Sequence, residues 1–282
     1  MLMESPQVLS SLCYVLGSRY FPIFWLRTEP PIMVEGGVSG VIPRVLKQMK
    51  DLSLAPPQQV ILLHEHSDHV TGLPLLKAQW PHIEAVASPE ACQFLSQEKA
   101  IQSYKETDSF FTKVLIEQGE GEQAGWYDFP PPVLVKHESL PPGIHIIPTP
   151  GHSPGSIALF WEKEGALFAS DSVGYFSSKG PHFPLFFQDF QLYVSAIEKL
   201  RELKPRILVL GHLHYFTEEE TDKAFQRALK EAFKLRERVK KLGESGLKEV
   251  FSDMYQEELA IFYPKDTIWR CAKLLMKRSL EG

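Results

Sequence analysis

The chain carries three histidines and an aspartate within six residues, and this hexapeptide constrains its fold more than any other feature. Residues 64–69 read His-Glu-His-Ser-Asp-His and directly follow the apolar run Val-Ile-Leu-Leu at 60–63. A short apolar run of this kind is typical of a buried strand, so the hexapeptide lies where a strand leaves the core. So many imidazoles in one turn-sized stretch favour metal binding over a solvated loop. The sequence therefore predicts a strand whose end presents metal ligands.

The same arrangement occurs three more times along the chain. An apolar run at 144–147 leads into a turn that contains His152, another run ends just before Asp171, and a third ends just before His212. The Pro and Gly residues around His152 mark a turn. Loops at one edge of a sheet can converge however far apart they are in sequence. We therefore expect these three side chains to meet those of residues 64–69.

This pattern strongly resembles that of the metallo-β-lactamase superfamily, which reads HxHxDH, then a His in a TPGH-like turn, then Asp, then a late Gly-His. The match covers roughly residues 8 to 216. The resemblance implies an α/β fold, namely a four-layer αβ/βα sandwich, here followed by a C-terminal helical appendage. It also implies one metal bound by His64, His66 and His152, a second bound by Asp68, His69 and His212, and Asp171 bridging both.

Two finer features qualify the resemblance. The segment Val-Glu-Gly-Gly at 34–37 looks like the opening strands of the family, but Glu35 stands where Asp is more usual, so its expected role behind the metal ligands is an open question. Within the superfamily, the chain is most similar to the branch of the quinolone-signal response protein, a 2-aminobenzoylacetyl-CoA thioesterase. The shared features are the VEGG-S segment, the ligand spacing and a helical tail of similar length.

The ligand types point to catalysis. Seven nitrogen and oxygen ligands shared by two ions leave each ion an open position, whereas a closed structural zinc site would use thiolates. Cys13, Cys92 and Cys271 are too scattered to form a CxxC pair. Adjacent divalent ions lower the pKa of bound water from 15.7 to about 7, so we expect hydrolysis by a metal-bridging hydroxide that Asp68 orients. The expected cofactors are two divalent ions, zinc first and iron or manganese as alternatives.

Composition narrows the partners and the compartment. A net charge of −5 over 282 residues argues against a nucleic-acid partner, because such partners generally need a basic patch. No stretch approaches the roughly 18 apolar residues that a membrane span requires, and the N-terminus lacks the pattern of a signal peptide. Three well-separated cysteines suit a reducing compartment. We therefore predict a cytoplasmic protein that has neither a nucleic-acid nor a membrane partner. The family resemblance adds the expectation of a small-molecule acyl substrate.

The character of the sequence changes near residue 217. Beyond it the strand signal nearly disappears, and from Phe225 onward apolar residues recur at helical spacing. Thr217 followed by three glutamates predicts a helix start. We therefore divide the chain into a dimetal hydrolase core at 1–216 and a helical appendage at 217–282. The appendage is expected to cover or flank the active site. The alternatives are that it merely packs on the core or that it supports a homodimer.

Aromatic residues crowd the segment beyond Asp171 and predict an apolar substrate pocket beside the metals, although core packing explains them equally well. For Tyr175 we also predict a hydrogen bond to a developing oxyanion. The imidazoles of His82, His137 and His145 match no ligand position, so structural or surface roles are expected. The predicted pocket residues are Tyr175, Phe176, His182, Phe183, Phe186, Phe187 and His214.

The reaction class follows more directly than the substrate, because sites of this kind attack thioesters, lactones, β-lactams or phosphodiesters. The narrower resemblance favours an acyl thioester of the CoA or glutathione type. A phosphodiesterase or a lactonase is the alternative within the same fold. A flavodiiron-like redox enzyme is disfavoured, because those relatives have Glu where His66 stands. An alternative of a different class is a regulatory protein-binding module that retains a metal site.

Overall fold

Two β-sheets face each other at the centre of the fold. The computed structural model describes residues 1–136, 139–178, 180, 182–255 and 257–281, so the role predicted for His137 lies outside the described residues. The first sheet has seven strands in sequence order: β1 (Gln7–Ser10), β2 (Cys13–Gly17), β3 (Pro22–Leu26), β4 (Ile32–Val34), β5 (Gln59–Ile61), β6 (Glu84–Ala87) and β7 (Val133–Leu134).

The second sheet has five strands in the order β14-β13-β10-β9-β8. These strands are β8 (Ile144–Pro148), β9 (Ile157–Trp161), β10 (Ala166–Ser170), β13 (Ile207–Leu210) and β14 (Tyr215–Thr217). A separate hairpin of β11 (Tyr175–Phe176) and β12 (His182–Phe183) follows β10. The predicted ligand loops follow β5 in the first sheet and β8, β10 and β13 in the second.

Alternation along the strands divides the core into an inner and an outer part. On β3, Phe24 and Leu26 belong to the cluster between the sheets, whereas Ile23 and Trp25 belong to the cluster beneath the helices. Successive side chains of a strand point to opposite faces, so a strand covered on both faces reads as a continuous apolar run. This is why the sequence shows the strands as short runs of Val, Ile, Leu and Phe.

Helices lie outside the two sheets and make up most of the C-terminal part of the chain. They are α1 (Ile42–Asp51), α2 (Ser67–Val70), α3 (Leu73–Gln79), α4 (Pro89–Leu95), α5 (Glu98–Glu117), α6 (Phe190–Glu202), α7 (Glu219–Leu242), α8 (Leu247–Met254), α9 (Glu257–Phe262) and α10 (Lys265–Leu280). Buried residues of α1 join the cluster outside the first sheet, and buried residues of α6 pack outside the second. The predicted four-layer αβ/βα sandwich with a C-terminal helical part is confirmed.

The appendage is helical as predicted, but its first helix starts later than the sequence suggested. Thr217 is the last residue of β14 and pairs with Ile207, and α7 begins at Glu219 without a side-chain cap. The strand pairing of Thr217 fixes its backbone, so its hydroxyl does not cap the helix. The boundary at 216/217 stays a prediction. No helix within the described ranges is both long and apolar enough to cross a membrane.

Candidate metal centre

The ends of four strands bring the seven predicted ligands together. His64 and His66 follow β5, and the short helix α2 carries the next two ligands. His152 lies in the turn between β8 and β9, Asp171 directly follows β10, and His212 follows β13. Six of the seven side chains are buried, and His66 is half-buried. The convergence arises because these loops leave the two sheets at one edge of the sandwich.

The first three histidines form one candidate group. The Nε2 atom of His152 lies 3.0 Å from the Nδ1 atom of His66. The ring of His64 lies 4.8 Å from that of His66 and 4.9 Å from that of His152, between ring centres. One nitrogen from each of the three lies within 4.8 Å of the others. This spacing places three imidazole nitrogens around a single position that an ion can occupy.

The second group combines one carboxylate with two imidazoles. The Oδ2 atom of Asp68 lies 3.5 Å from Nε2 of His69 and 3.6 Å from Nε2 of His212. Burial alone would raise the pKa of Asp68, but the neighbouring charges of His69, His212 and His66 outweigh it and lower the pKa to about 2. Asp68 is therefore a carboxylate at neutral pH, and its oxygens accept hydrogen bonds or bind cations.

Asp171 lies between the two groups and reaches both. Its Oδ2 atom is 3.5 Å from Nε2 of His152 and 4.0 Å from Nε2 of His64, both in the first group. The same oxygen is 3.9 Å from Nε2 of His69. Its Oδ1 atom is 3.5 Å from Nε2 of His212. A carboxylate in this position can bridge two ions.

Unpaired buried nitrogens show that these residues fit metal ions. The Nε2 atoms of His64 and His69 are buried and have no hydrogen-bond partner, which is costly unless a ligand satisfies them. Burial and the neighbouring imidazoles hold the pKa of His64 well below its ordinary value, so its lone pair is free to bind. Burial by itself would lower the pKa of His69, but the charges of Glu35, Asp68 and Asp171 outweigh it and raise this pKa to about 10. The position therefore attracts positive charge. Imidazole and carboxylate donors suit zinc, iron and manganese.

Backbone carbonyl groups hold the far side of two of the imidazoles. Nδ1 of His152 lies 2.8 Å from the Leu185 carbonyl oxygen, and Nδ1 of His212 lies 2.5 Å from that of Tyr20. A carbonyl oxygen only accepts, so each Nδ1 carries the proton and each Nε2 presents its lone pair to the centre. These bonds fix both the tautomer and the orientation of the ring.

Glu35 also lies behind a metal ligand, although Asp is more usual at this position. Its Oε1 atom accepts a 2.5 Å hydrogen bond from the Ser170 hydroxyl and lies 3.3 Å from Nδ1 of His69. Because Nδ1 is the ring nitrogen opposite the one that faces Asp68, Glu35 supports His69 from behind. The glutamate side chain thus reaches a ligand from the position where Asp is more usual.

Three further residues support the centre: Glu65, for which a solvated or supporting role was expected, and Asp108 and Tyr263, which escaped the sequence analysis. Glu65, a variable position of the hexapeptide, accepts hydrogen bonds from the Ser153 hydroxyl (2.9 Å) and from the Gly155 backbone N–H (3.3 Å), which ties the two ligand loops together. Asp108 of α5 accepts a 2.6 Å hydrogen bond from Thr71 just after α2. Tyr263 donates a 2.6 Å hydrogen bond to Asp68. Their partners are distant in sequence, so spacing gave no signal.

Only part of the predicted aromatic pocket lies at the centre. The ring centre of Tyr175 is 6.1 Å from that of His212, and the ring centre of Phe187 is 5.2 Å from that of His152. Phe183 is the cross-strand partner of Tyr175 and lines a cleft of about 210 Å³ against α7, α8 and α10. These three residues remain candidates for a substrate pocket.

The other four predicted pocket residues make their closest ring contacts away from the ligands, and their role in a pocket stays a prediction. Phe176 and His182 pack edge to face, with ring centres 4.4 Å apart, and His182 also lines the cleft beside Phe183. His214 stacks on Phe216 of β14 instead of turning toward the ligands. Phe186 is fully buried against Phe190 and Tyr193 of α6. Core packing was the alternative for these aromatics, and the full burial of Phe186 fits that alternative.

We expect His182 to make stability depend on pH. Its Nε2 atom lies 2.8 Å from the Val173 carbonyl oxygen, and burial lowers its pKa to about 4 from an ordinary 6.5. Between these values the unfolded chain binds a proton that the folded protein does not. The free energy of unfolding therefore falls as the pH falls from 6.5 to 4. The loss through this one group amounts to about 3 kcal/mol.

The variant His182→Gln tests this expectation, because glutamine keeps an N–H donor for the Val173 carbonyl and does not titrate. Urea unfolding at a series of pH values should show a smaller loss of stability for the variant than for the wild type across this window. Identical pH dependence in the two proteins would show that His182 takes up its proton in the folded state as readily as in the unfolded one.

Comparisons with known proteins agree with this geometry. The sequence profile described as "Metallo-beta-lactamase superfamily" matches residues 23–212, more than half of the chain. The Bacillus subtilis (strain 168) protein YobT is 27% identical over 148 residues, which cover 50% of this chain and 56% of YobT. A hydroxyacylglutathione hydrolase of Buchnera aphidicola subsp. Baizongia pistaciae is 26% identical over 159 residues, which cover 56% of this chain and 49% of that enzyme. The chain thus matches about half the length of each of these relatives.

The fold extends further than the sequence similarity. An archaeal metallo-beta-lactamase superfamily protein from Sulfolobus tokodaii superposes with a TM-score of 0.57 at 18% identity, over 100% of this chain and 98% of the other. At this identity the likeness shows the fold alone. The profile match, the shared architecture and the seven convergent side chains lead to one assignment. The chain belongs to the metallo-beta-lactamase superfamily, a superfamily of metal-dependent hydrolases.

Proposed function

We propose that this protein is a dinuclear metal-dependent hydrolase that cleaves an acyl thioester. The observation that carries the proposal is the pair of ligand groups with a shared carboxylate between them. His64, His66 and His152 would hold one ion, Asp68, His69 and His212 the other, and Asp171 both. Two divalent cations supply a hydroxide nucleophile at neutral pH and polarise the bond under attack.

The residues of the chain then do the positioning. Asp68 is ionised, so it accepts a hydrogen bond from the attacking water and orients it toward the carbonyl carbon. Tyr175 lines the cavity beside His212, where a phenol can donate a hydrogen bond to the oxyanion that develops on the substrate. Carbonyl and carboxylate groups behind the imidazoles keep each Nε2 directed at the centre. Catalysis in this scheme depends on preorganised donors and acceptors.

The surroundings of the centre support a neutral acyl group. A narrow cleft of about 10 Å³ beside His212 is lined, among the described residues, by aromatic and apolar side chains apart from the histidine itself: Tyr20, Phe21, Tyr175, Leu213, Phe262 and Tyr263. A phosphodiester anion would be expected to meet lysine or arginine here. The separate cleft beside Phe183 has both apolar and charged lining residues: Leu235, Val250, Met254 and Leu275 on one hand, and Glu231, Lys234, Arg238 and Asp253 on the other. Its apolar part suits an acyl chain.

The relatives point the same way. The similarity to a hydroxyacylglutathione hydrolase supports a glutathione thioester, and the resemblance to the quinolone-signal response branch supports a CoA thioester. The net charge of −5 supports a small-molecule substrate over a nucleic acid. These considerations favour the thioester over a lactone or a phosphodiester.

A substrate panel tests the proposal. Protein purified without chelator would be assayed with acyl-CoA and acylglutathione thioesters, a lactone and bis-nitrophenyl phosphate. We expect kcat/KM for the best thioester to exceed the others by at least about 100-fold, or about 3 kcal/mol in the barrier. Chelation should abolish turnover and zinc should restore it, with iron and manganese as parallel additions. Preference for the phosphate ester would instead establish a phosphodiesterase, and a metal-loaded protein without turnover would favour the regulatory module.

A further inference from the structure

One side chain of the helical appendage reaches the candidate metal centre. Tyr263 lies in the corner between α9 and α10, and its hydroxyl donates a 2.6 Å hydrogen bond to Oδ2 of Asp68, 195 positions away in sequence. The same oxygen lies 3.5 Å from Nε2 of His69 and 3.6 Å from Nε2 of His212. The hydrogen bond therefore ends on the carboxylate oxygen that faces the other two members of its ligand group.

Aromatic packing fixes this corner against the core. The ring of Tyr263 meets Phe111 of α5 edge to face, at 5.4 Å between ring centres. The adjacent Phe262 is almost fully buried and lies 3.9 Å from the ring centre of Tyr20 and 5.6 Å from that of Phe21. Apolar contacts thus place the corner, and the phenol hydroxyl makes its directional contact with the centre.

We propose that Tyr263 is a positioning residue that holds the Asp68 carboxylate in the orientation that completes the ligand group of Asp68, His69 and His212. This inference rests on the proposed dinuclear centre. The ion site of Asp68, His69 and His212 would then depend on residues of both the core and the appendage. The site of His64, His66 and His152 does not depend on the corner, because the hydrogen bond from Tyr263 goes to Asp68.

The energetic expectation follows from the hydrogen bond. A carboxylate that binds a metal keeps its orientation through its other hydrogen bonds, and losing such a partner typically weakens metal binding about 10- to 100-fold. Coupling between two sites is reciprocal. If the seated corner strengthens ion binding at the second site, then ion binding stabilises the seated corner by the same factor. The α9–α10 corner should therefore open less often when the site is filled.

The test compares Tyr263→Phe with Tyr255→Phe in the full-length chain. The first variant removes the hydroxyl and keeps the ring, and the second removes a hydroxyl from another appendage tyrosine, which packs on Phe251 away from the centre. Zinc would be titrated against a competing chelator to obtain two separate affinities, and cobalt would be substituted to follow the ligand-field spectrum. Backbone hydrogen exchange of residues 259–264 would be measured with and without zinc.

For Tyr263→Phe we expect one zinc affinity to fall about 10- to 100-fold while the other stays within threefold of the wild type. The cobalt spectrum of one site should change, and the zinc-dependent protection of 259–264 should disappear. Tyr255→Phe should match the wild type in all three measurements. The unchanged second affinity shows that the variant is folded.

The inference would be overturned if both zinc affinities of Tyr263→Phe stayed within threefold of the wild-type values. It would also be overturned if hydrogen exchange at 259–264 in the wild type were the same with and without zinc. Neither result depends on the substrate. A protein that binds two zinc ions with the expected Tyr263 effect but cleaves no thioester would overturn the proposed function alone.

Discussion

Replacing Asp171 with alanine is expected to reduce hydrolysis to at most about 10⁻³ of the wild-type rate, because water without a cation keeps a pKa of 15.7 instead of about 7. Asp171 is the residue whose carboxylate approaches both ligand groups, at 3.5 Å from Nε2 of His152 through one oxygen and 3.5 Å from Nε2 of His212 through the other. Its loss leaves two sets of imidazoles without the shared anion. Elemental analysis after dialysis should show fewer than two ions per chain.

The matched control is Asp128→Ala, which removes an exposed aspartate outside the centre. It should keep the metal content and the rate of the wild type, so a general effect of charge is separated from the loss of the bridge. If Asp171→Ala retained two ions and a rate within tenfold of the wild type, Asp171 could not be the bridging ligand, and the centre would have to be assigned differently.

Replacing Gly151 with alanine is expected to lower the free energy of unfolding by at least about 3 kcal/mol, since an added Cβ would overlap backbone atoms that cannot yield. The residue has a φ of +132°, and its Cβ would lie 2.3 Å from the backbone nitrogen and 2.4 Å from the Cα of Tyr193 in α6. The Gly151 carbonyl also accepts hydrogen bonds from the backbone N–H groups of Gln188 and Asp189. Relief of the overlap would displace His152, the next residue, so metal affinity should fall as well.

Gly119→Ala is the control for this variant. Gly119 also has a positive φ, +70°, but no heavy atom lies within 4 Å of the added Cβ. The backbone conformation alone costs about 1 kcal/mol for alanine, and urea unfolding of the two variants measures the difference. Equal losses in both would show that α6 shifts freely at Tyr193 and that steric overlap contributes little.

The seven candidate ligands could be predicted because their signal is local. Each one follows an apolar run of four or so residues, and strands of a layered sandwich end at shared edges, so short-range patterns were enough to predict convergence. The strands could be predicted for the same reason, because each one is a short apolar run. The resemblance to a known superfamily then supplied the fold and the division into two ligand groups.

Local pattern failed where two conformations were compatible with the same residues. Thr217 with the following glutamates has the composition of a helix start, but its pairing with Ile207 in β14 decides the backbone. The aromatic residues beyond Asp171 fit either a pocket or a core. Phe186 went into the core with α6, whereas Phe187, one position later, packs on His152. The side chains of neighbouring residues in a turn point in different directions. Only the packed structure decides which of them enters the core and which faces the ligands.

The sequence by itself determined the donor set, the strands that carry it and the helical character of residues beyond 217. Tertiary structure alone decided what holds those donors: Glu35 behind His69, Glu65 between two loops, and Tyr263 on Asp68. The physical reason is that a ligand's type and its strand are encoded in a few adjacent residues. A hydrogen bond between residues 35 and 170 or 68 and 263 depends on how the whole chain packs, and no short pattern records it.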